Sequence, residues 1–172
     1  MQFKLAILLV CCTCFYTCLT AQVGQLKIDD DFELSFFQTM QGDTITLDPA
    51  SNKVLVMNFW NLGCRGCEAE RPYLNELHKD YQEKEIVFWS VTTNTMQHLE
   101  AFLENHPIDW EIKGGVDFLG FMGDDTFKIN CMPTTIVVDK EKKVIYSQCG
   151  PILEGKRGEK FKALLDKALL DK

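Results

Sequence analysis

Residues 54–77 read VLVMNFWNLGCRGCEAERPYLNEL, and they carry the clearest sequence signals of the chain's architecture. Its first seven residues, VLVMNFW, are apolar apart from one asparagine, which is typical of a central strand buried on both faces. The residues from Cys64 to about Glu83 are predicted to form a helix. The cysteines of the CxxC pair, Cys64 and Cys67, therefore lie at the start of a helix that directly follows a buried strand.

That position favours chemistry at Cys64. A sulfur at the tip of a helix meets unpaired N–H groups and the positive end of the helix dipole, which favour the thiolate over the thiol. Thiolate is the nucleophile of thiol–disulfide exchange, and Cys67, one turn further on, can close a disulfide with Cys64 and release a bound partner. Arg65 either adds a second positive influence or is simply a solvated side chain.

Glu70 stands in an unusual place for a carboxylate. The residues Cys67, Glu70, Leu74, Leu77 and Tyr81 are spaced three, four, three and four apart, which marks the buried stripe of an amphipathic helix. A carboxylate on that stripe is desolvated, so its pKa should rise and it becomes a candidate proton acceptor or donor for Cys67. The alternative is a glutamate at the edge of the stripe that reaches water.

The rest of the chain alternates strands and helices. FELSFFQTMQGDTITL predicts an N-terminal β-hairpin, and a final helix from about Gly155 to Lys172 carries apolar residues at helical spacing. Between them the predicted elements are a strand at 85–92, a helix at 95–105, a short strand near Trp110, a helix around 118–129 and two strands in MPTTIVVD and VIYSQC. This order implies an α/β fold with a mixed central sheet flanked by helices and an N-terminal hairpin extension.

The N-terminus has the layout of a secretory signal. One lysine precedes an apolar run from Leu5 to Leu19, which is short for a membrane span, and small and polar residues follow up to Ala21. We expect residues 1–21 to be the signal peptide and residues 22–172 to form one domain. An uncleaved anchor or a lipoprotein is the alternative, and membrane association is expected only in those cases. The domain is thus predicted to be extracytoplasmic, in the periplasm, where disulfides persist.

The charge of the chain restricts its partners. It carries 25 acidic and 18 basic residues, for a net charge of −7. Nucleic acids and anionic membrane surfaces both attract basic faces, so neither is an expected partner.

Several of these residues together resemble a known family. Phe-Trp before CxxC, the CxxCxxExP pattern of Cys64, Cys67, Glu70 and Pro72, and a later Met-Pro-Thr-Thr are similar to the thioredoxin fold, and within it to the extracytoplasmic TlpA/ResA-type thiol–disulfide oxidoreductases. Asn58 stands where classical thioredoxins carry an aspartate. The resemblance covers about residues 30–172.

The resemblance implies a mechanism and a set of site residues. Cys64 attacks the substrate disulfide, Cys67 resolves the mixed disulfide, and Glu70 tunes the reactivity of the cysteine pair. Pro133 is a cis-proline, and the Met132 backbone binds a substrate strand. The residues expected to border the substrate are Trp60, Arg65, Met132 and Pro133. The substrates implied are protein disulfides, with apocytochrome thiols as one class, and a separate thiol–disulfide donor restores the dithiol. Reduction is favoured over oxidation, and neither cofactor nor metal is expected.

Two features depart from the family pattern. The dipeptide between the cysteines is Arg-Gly, whereas the family often has proline in the second position. The reduction potential of family members therefore cannot be assumed for this pair. Cys131 and Cys149 form an additional pair, and a tight turn at KEKK places Cys149 beside Pro133 or Thr134. They form a structural disulfide, act as a second exchange pair, or remain free thiols; spacing in sequence does not decide among these.

Other functions fit the residues less well. A peroxiredoxin would have a hydroxyl residue three positions before its attacking cysteine, where this chain has Asn61. A copper chaperone on this fold generally needs CxxxC and a distant histidine. A zinc site would need paired short spacings, and the three histidines, His78, His98 and His106, show no such pattern.

Overall fold

The computed structural model describes residues 26–32, 36–39, 43–46, 52–116, 129 and 131–171. The predicted signal segment and most of the predicted helix at 118–129 lie outside these residues. The elements in chain order are β1 (Phe36–Gln38), β2 (Thr44–Thr46), β3 (Val54–Trp60), α1 (Arg65–Tyr81), β4 (Ile86–Thr92), α2 (Met96–Leu103), β5 (Glu111–Lys113), β6 (Thr134–Val138), β7 (Val144–Cys149) and α3 (Lys156–Leu170). None of the helices in these residues is both long enough and apolar enough to cross a membrane.

Five strands form one mixed sheet in the order β5-β4-β3-β6-β7. Strand β3 is central and pairs in parallel with β4 and antiparallel with β6. Strand β7 pairs antiparallel with β6 and forms one edge of the sheet. The predicted mixed α/β fold of the thioredoxin type is confirmed.

The predicted N-terminal hairpin is confirmed as a separate two-stranded sheet, in which β1 and β2 pair antiparallel. Isolated bridges between Thr39 and Val116 and between Asp31 and Lys143 connect this region to the rest of the fold.

Strand β3 explains how the two faces of the sheet differ. All seven of its residues are buried, and because side chains alternate along a strand, odd and even positions pack in different layers. Leu55, Met57 and Phe59 belong to one core cluster, whereas Val54 and Val56 pack with α1 and α3. The α3 residues predicted to cover a sheet face, Phe161, Leu164, Leu165, Ala168 and Leu169, all pack in this second cluster. Asn58 and Trp60 therefore point toward α1.

Candidate active site at the tip of helix α1

Cys64 is the N-cap residue of α1, as the sequence predicts. Its backbone is extended, with φ −83° and ψ 102°, and its sulfur accepts a hydrogen bond from the Cys67 backbone N–H at 3.2 Å. Cys64 is half-buried and Cys67 is buried, and the two are joined as a disulfide with their Cα atoms 5.3 Å apart. The same N–H group favours a thiolate on Cys64 once the bond is reduced.

The loop before Cys64 is held by a cluster of polar contacts, which we call the asparagine latch and define as Asn61, Asn94, Thr92 and Thr93. Asn61 Oδ1 accepts hydrogen bonds from the Thr92 hydroxyl, the Thr93 N–H and the Thr93 hydroxyl at 2.8 to 3.1 Å. Asn94 Oδ1 accepts from the Leu62 N–H at 2.9 Å. The latch joins the C-terminal ends of β3 and β4 and so fixes the loop that carries Cys64.

Glu70 is buried, as its place on the apolar stripe predicts, and only 1% of it is exposed. Its Oε1 atom accepts a hydrogen bond from Asn58 Nδ2 at 2.7 Å, and its Oε2 atom accepts one from the Ile152 N–H at 2.8 Å. Burial raises the pKa of Glu70 to about 7, against the opposing effects of these two hydrogen bonds and of Arg157 and Arg71. The alternative of a glutamate that reaches water is therefore wrong.

Asn58 connects Glu70 to the centre of the sheet. Its amide also donates to the Thr135 hydroxyl on β6 at 3.2 Å, so one side chain joins β3, β6 and α1. An asparagine can hold a carboxylate here without adding a second negative charge. The family resemblance pointed to this position, and the contact with Glu70 gives it a physical role.

Arg71 belongs to the same buried group, although the sequence analysis did not identify it. Only 7% of it is exposed, and its guanidinium carbon lies 4.7 Å from the Phe102 ring centroid and 5.9 Å from that of Trp60. Its Nη2 atom has no hydrogen-bond partner among the described residues. Arg71 lines a small cavity together with Cys67 and Glu70. Its position four residues after Cys67 was the signal that could have found it.

Trp60 does not fit the predicted role in substrate binding. The residue is 2% exposed, its indole N–H donates to the Ser90 hydroxyl at 2.6 Å, and its ring stacks on Phe102. As an even-numbered residue of β3 it faces the helices, and Leu99 and Cys67 pack against it. Trp60 thus lines the buried interior of the site and does not form a surface that a substrate contacts.

The other residues predicted to border the substrate differ in their surroundings: Met132 and Pro133 pack near the cysteine pair, whereas Arg65 is exposed. The Met132–Pro133 peptide bond is cis, and Met132 packs beside Cys64 and Cys67. A Cβ on Gly66 would lie 3.0 Å from the Pro133 ring, so the glycine between the cysteines allows this proline to approach. The Met132 N–H and C=O have no hydrogen-bond partner among the described residues. Arg65 is exposed.

Cys131 and Cys149 lie behind this proline. The turn at KEKK sets Cys149 opposite Thr134, one of the two positions predicted from the sequence. The structure joins Cys131 and Cys149 as a disulfide with their Cα atoms 5.9 Å apart, a separation within the usual range. The structure therefore does not show Cys131 and Cys149 as two free thiols, which was the third alternative left open by the sequence.

The other candidate ligands do not gather into a site. Among the residues that the structure describes, no three His, Cys, Asp or Glu side chains are grouped so that they could hold a metal ion. His78 packs its ring against Phe88 and Trp110, while His98 and His106 are exposed.

Comparison with known proteins agrees with this geometry. The chain is 25% identical over 150 residues to the thiol-disulfide oxidoreductase ResA of Bacillus cereus, covering 83% of this chain and 84% of ResA. The thiol:disulfide interchange protein DsbE of Chlorobium tepidum has a similar structure, with a TM-score of 0.62 and 20% identity over 86% of this chain and 99% of DsbE. StoA of Bacillus subtilis has a TM-score of 0.55 and 17% identity over 80% of this chain and 97% of StoA.

The predicted resemblance to TlpA/ResA-type oxidoreductases is confirmed. The likeness to ResA supports thiol–disulfide oxidoreductase activity for the Cys64–Cys67 pair, and the two solved structures support the fold. The model of the AhpC/TSA family matches residues 27–147, which is well over half of the chain. This chain therefore belongs to the AhpC/TSA family.

Proposed function

We propose that this protein is an extracytoplasmic reductase of protein disulfides that works through Cys64 and Cys67. One observation carries the proposal: the sulfur of Cys64 caps the N-terminus of α1 and accepts the Cys67 N–H, while Cys67 lies behind it beside the buried Glu70. An accessible nucleophile and a protected second thiol are the arrangement that two-step exchange requires.

In the first step the Cys64 thiolate attacks one sulfur of the substrate disulfide. A mixed disulfide forms, and the other substrate sulfur leaves as a thiolate that solvent protonates. The Cys67 thiol then loses its proton and attacks the Cys64 sulfur, which releases the second substrate thiol and leaves the Cys64–Cys67 disulfide. Two electrons thereby pass from the protein to the substrate, and the two product thiolates take their protons from solvent.

Glu70 accepts the proton that Cys67 gives up. The two residues are one helical turn apart and line the same cavity. With a pKa of about 7, Glu70 can both take and return a proton near neutral pH. Arg71 lines the same cavity and supplies positive charge beside the thiolate that forms there.

The substrate is bound by the backbone on the other side of the cysteines. The N–H and C=O groups of Met132, which have no hydrogen-bond partner among the described residues, are available to an extended peptide, and cis-Pro133 holds that segment against the start of α1. Arg65 lies on the exposed side and can contact the docked chain.

The reductive direction and the location rest on separate support. The CxxCxxE resemblance supports reduction, with disulfides of proteins such as apocytochromes as the substrate class and a separate thiol–disulfide donor that restores the dithiol. The secretory layout of residues 1–21 supports a periplasmic location.

The test is the equilibrium redox potential of Cys64 and Cys67, measured in a Cys131→Ser/Cys149→Ser variant against a dithiothreitol series. We expect a reversible two-electron transition toward the thioredoxin end, about −270 mV, whereas a potential near about −120 mV would indicate an oxidase. Cys67→Ser should trap a mixed disulfide on Cys64 that mass spectrometry detects. A pair without a reversible transition would overturn the proposal.

A peroxidase is the second candidate, because the family model that matches is AhpC/TSA. In this structure Asn61 is engaged in the asparagine latch, and no side-chain hydroxyl hydrogen-bonds the Cys64 sulfur among the described residues. We expect reduced protein to consume hydrogen peroxide no faster than the Cys64→Ser variant. A rate that depends on Cys64 and turns over would favour the peroxidase instead.

A further inference from the structure

The Cys131–Cys149 disulfide is more accessible than the first pair. Cys149 is the last residue of β7, the edge strand of the sheet, and it is exposed, whereas Cys131 is half-buried. In the first pair Cys64 is half-buried and Cys67 is buried. A thiolate from another molecule can therefore approach the sulfur of Cys149 from solvent.

The second disulfide also shares a docking segment with the first. Cys131 directly precedes Met132, and Cys149 lies opposite Thr134 in the sheet. The Thr134 hydroxyl donates to the Cys131 carbonyl at 2.7 Å, which closes the turn around Met132 and Pro133. A partner strand bound to the Met132 backbone therefore lies beside both disulfides.

The guanidinium of Arg157 lies against the backbone at Cys149. Arg157 Nη2 donates to the Cys149 carbonyl at 3.1 Å. A Cβ on Gly150 would lie 3.2 Å from Arg157 Nη1, and Gly150 has φ +95°, so a glycine next to Cys149 lets the guanidinium come close. A cation next to a cysteine stabilises the thiolate and makes it a better leaving group.

We propose that Cys131–Cys149 is a second thiol–disulfide exchange site whose substrate is a protein dithiol. One thiolate of the dithiol attacks the Cys149 sulfur, the Cys131–Cys149 bond breaks, and Cys131 leaves as a thiolate that takes up a proton. The second thiol of the partner loses its proton and attacks the partner sulfur of the mixed disulfide, so that Cys149 leaves as a thiolate beside Arg157. The partner ends as a disulfide, and the pair gains two electrons together with the proton on Cys131 and, once the Cys149 thiolate is protonated from solvent, a second proton.

This site is separate from the function proposed above. It shares with that function only the proposed docking of a partner strand at the Met132 backbone. The direction and the substrate of the Cys64–Cys67 pair do not enter the argument, so each site is tested in a variant that lacks the cysteines of the other.

The first experiment uses a variant in which Cys11, Cys12, Cys14, Cys18, Cys64 and Cys67 are all replaced by serine, so that only the second pair can react. The protein is incubated with a graded dithiothreitol series and separately with reduced thioredoxin, quenched with acid, alkylated and weighed by mass spectrometry. We expect both reagents to reduce the pair reversibly while the near-UV circular dichroism stays native. Reduction only where the native signal is lost, or no reduction by thioredoxin, would show a purely structural disulfide and overturn the proposal.

The second experiment compares the two sulfurs in the same background. Cys131→Ser leaves Cys149 alone and Cys149→Ser leaves Cys131 alone, and each is mixed with an aromatic disulfide reagent at one pH. Because Cys149 is exposed and adjacent to Arg157, we expect it to react at least about tenfold faster than Cys131. The difference between the reaction rates of the two cysteines should vanish in urea, which unfolds the protein. Equal native rates would contradict attack at Cys149.

Discussion

Asn58 Nδ2 lies 2.7 Å from Glu70 Oε1, which places a neutral amide from the central strand against a carboxylate on the helix that carries both cysteines of the first pair. The other carboxylate oxygen accepts the Ile152 N–H from the loop after β7. Glu70 is therefore held from two sides while burial keeps its pKa near neutrality.

The oxidised protein should lose stability as the pH rises from about 4.5 to about 7. In that window the folded protein keeps the proton on Glu70 and the unfolded chain does not, since the folded pKa is raised from 4.5 to about 7. The stabilisation is complete below the unfolded pKa, and about 3 kcal/mol is lost by the time the pH passes the folded pKa. Urea unfolding from pH 4 to 8 measures this loss.

Glu70→Gln should remove that pH-dependent loss, because glutamine does not titrate. The matched control is Glu68→Gln, which changes an exposed residue on the same helix and should keep the wild-type profile. A drop of the same size in Glu70→Gln would mean that another group is responsible.

Asn58→Asp should make the protein sensitive to alkaline conditions. The new carboxylate would lie within hydrogen-bonding distance of Glu70, and the two would share one proton at pH 5 but repel each other once both ionise. We expect the variant to lose at least about 2 kcal/mol more than wild type between pH 5 and pH 8. Asn105→Asp, at an exposed position after α2, is the control. Parallel urea curves for wild type and Asn58→Asp would contradict the prediction.

Arg71→Met should raise the pKa of Glu70 above about 7. Arg71 lowers that pKa through its charge, and methionine fills similar space beside Phe102 without a charge. Carbon-13 NMR of labelled glutamate carboxyls measures the change. Arg71→Lys keeps the charge and should stay closer to wild type, and an unchanged or lower pKa in Arg71→Met would rule out the electrostatic role.

Gly158→Ala should destabilise the fold although alanine favours helices. A Cβ at Gly158 would lie 2.6 Å from the Leu153 carbonyl oxygen and 2.7 Å from the Tyr73 ring. Overpacking costs about 1 to 3 kcal/mol, against a gain in helix propensity of up to about 1 kcal/mol, so we expect a net loss of about 1 to 2 kcal/mol. Lys160→Ala, exposed on the same helix, should change the free energy of unfolding by less than about 0.5 kcal/mol. Equal stabilities of the two variants would show that α3 can shift to accept the methyl group.

Much of this site could be predicted from periodicity. The three-four spacing after Cys64 placed Cys67 and Glu70 on the buried face of α1, and the KEKK turn placed Cys149 beside Pro133 or Thr134, of which the structure shows Thr134. Both inferences depend only on local geometry, which the sequence carries directly.

The features of the site that could not be predicted depend on which element packs against each face of the sheet. Strand β3 is apolar apart from Asn58 and buried on both faces, so its sequence does not reveal that Asn58 and Trp60 face the helices, and Trp60 was wrongly expected to contact the substrate. Arg71 is charged and would ordinarily be solvated, but here its guanidinium lies against Phe102 and Trp60. Whether Cys131 and Cys149 are bonded depends on a distance across two strands that spacing does not provide.

The asparagine latch has a consequence for how such a site can diversify. Asn61 and Asn94 anchor the loop before Cys64 to the end of β4. Position 65 is exposed and takes no part in this anchoring, whereas position 66 is restricted by its contact with Pro133. Substitutions at Arg65 can therefore retune the reactivity of the cysteine pair while the nucleophile keeps its place, so selection can adjust the chemistry without redesigning the scaffold.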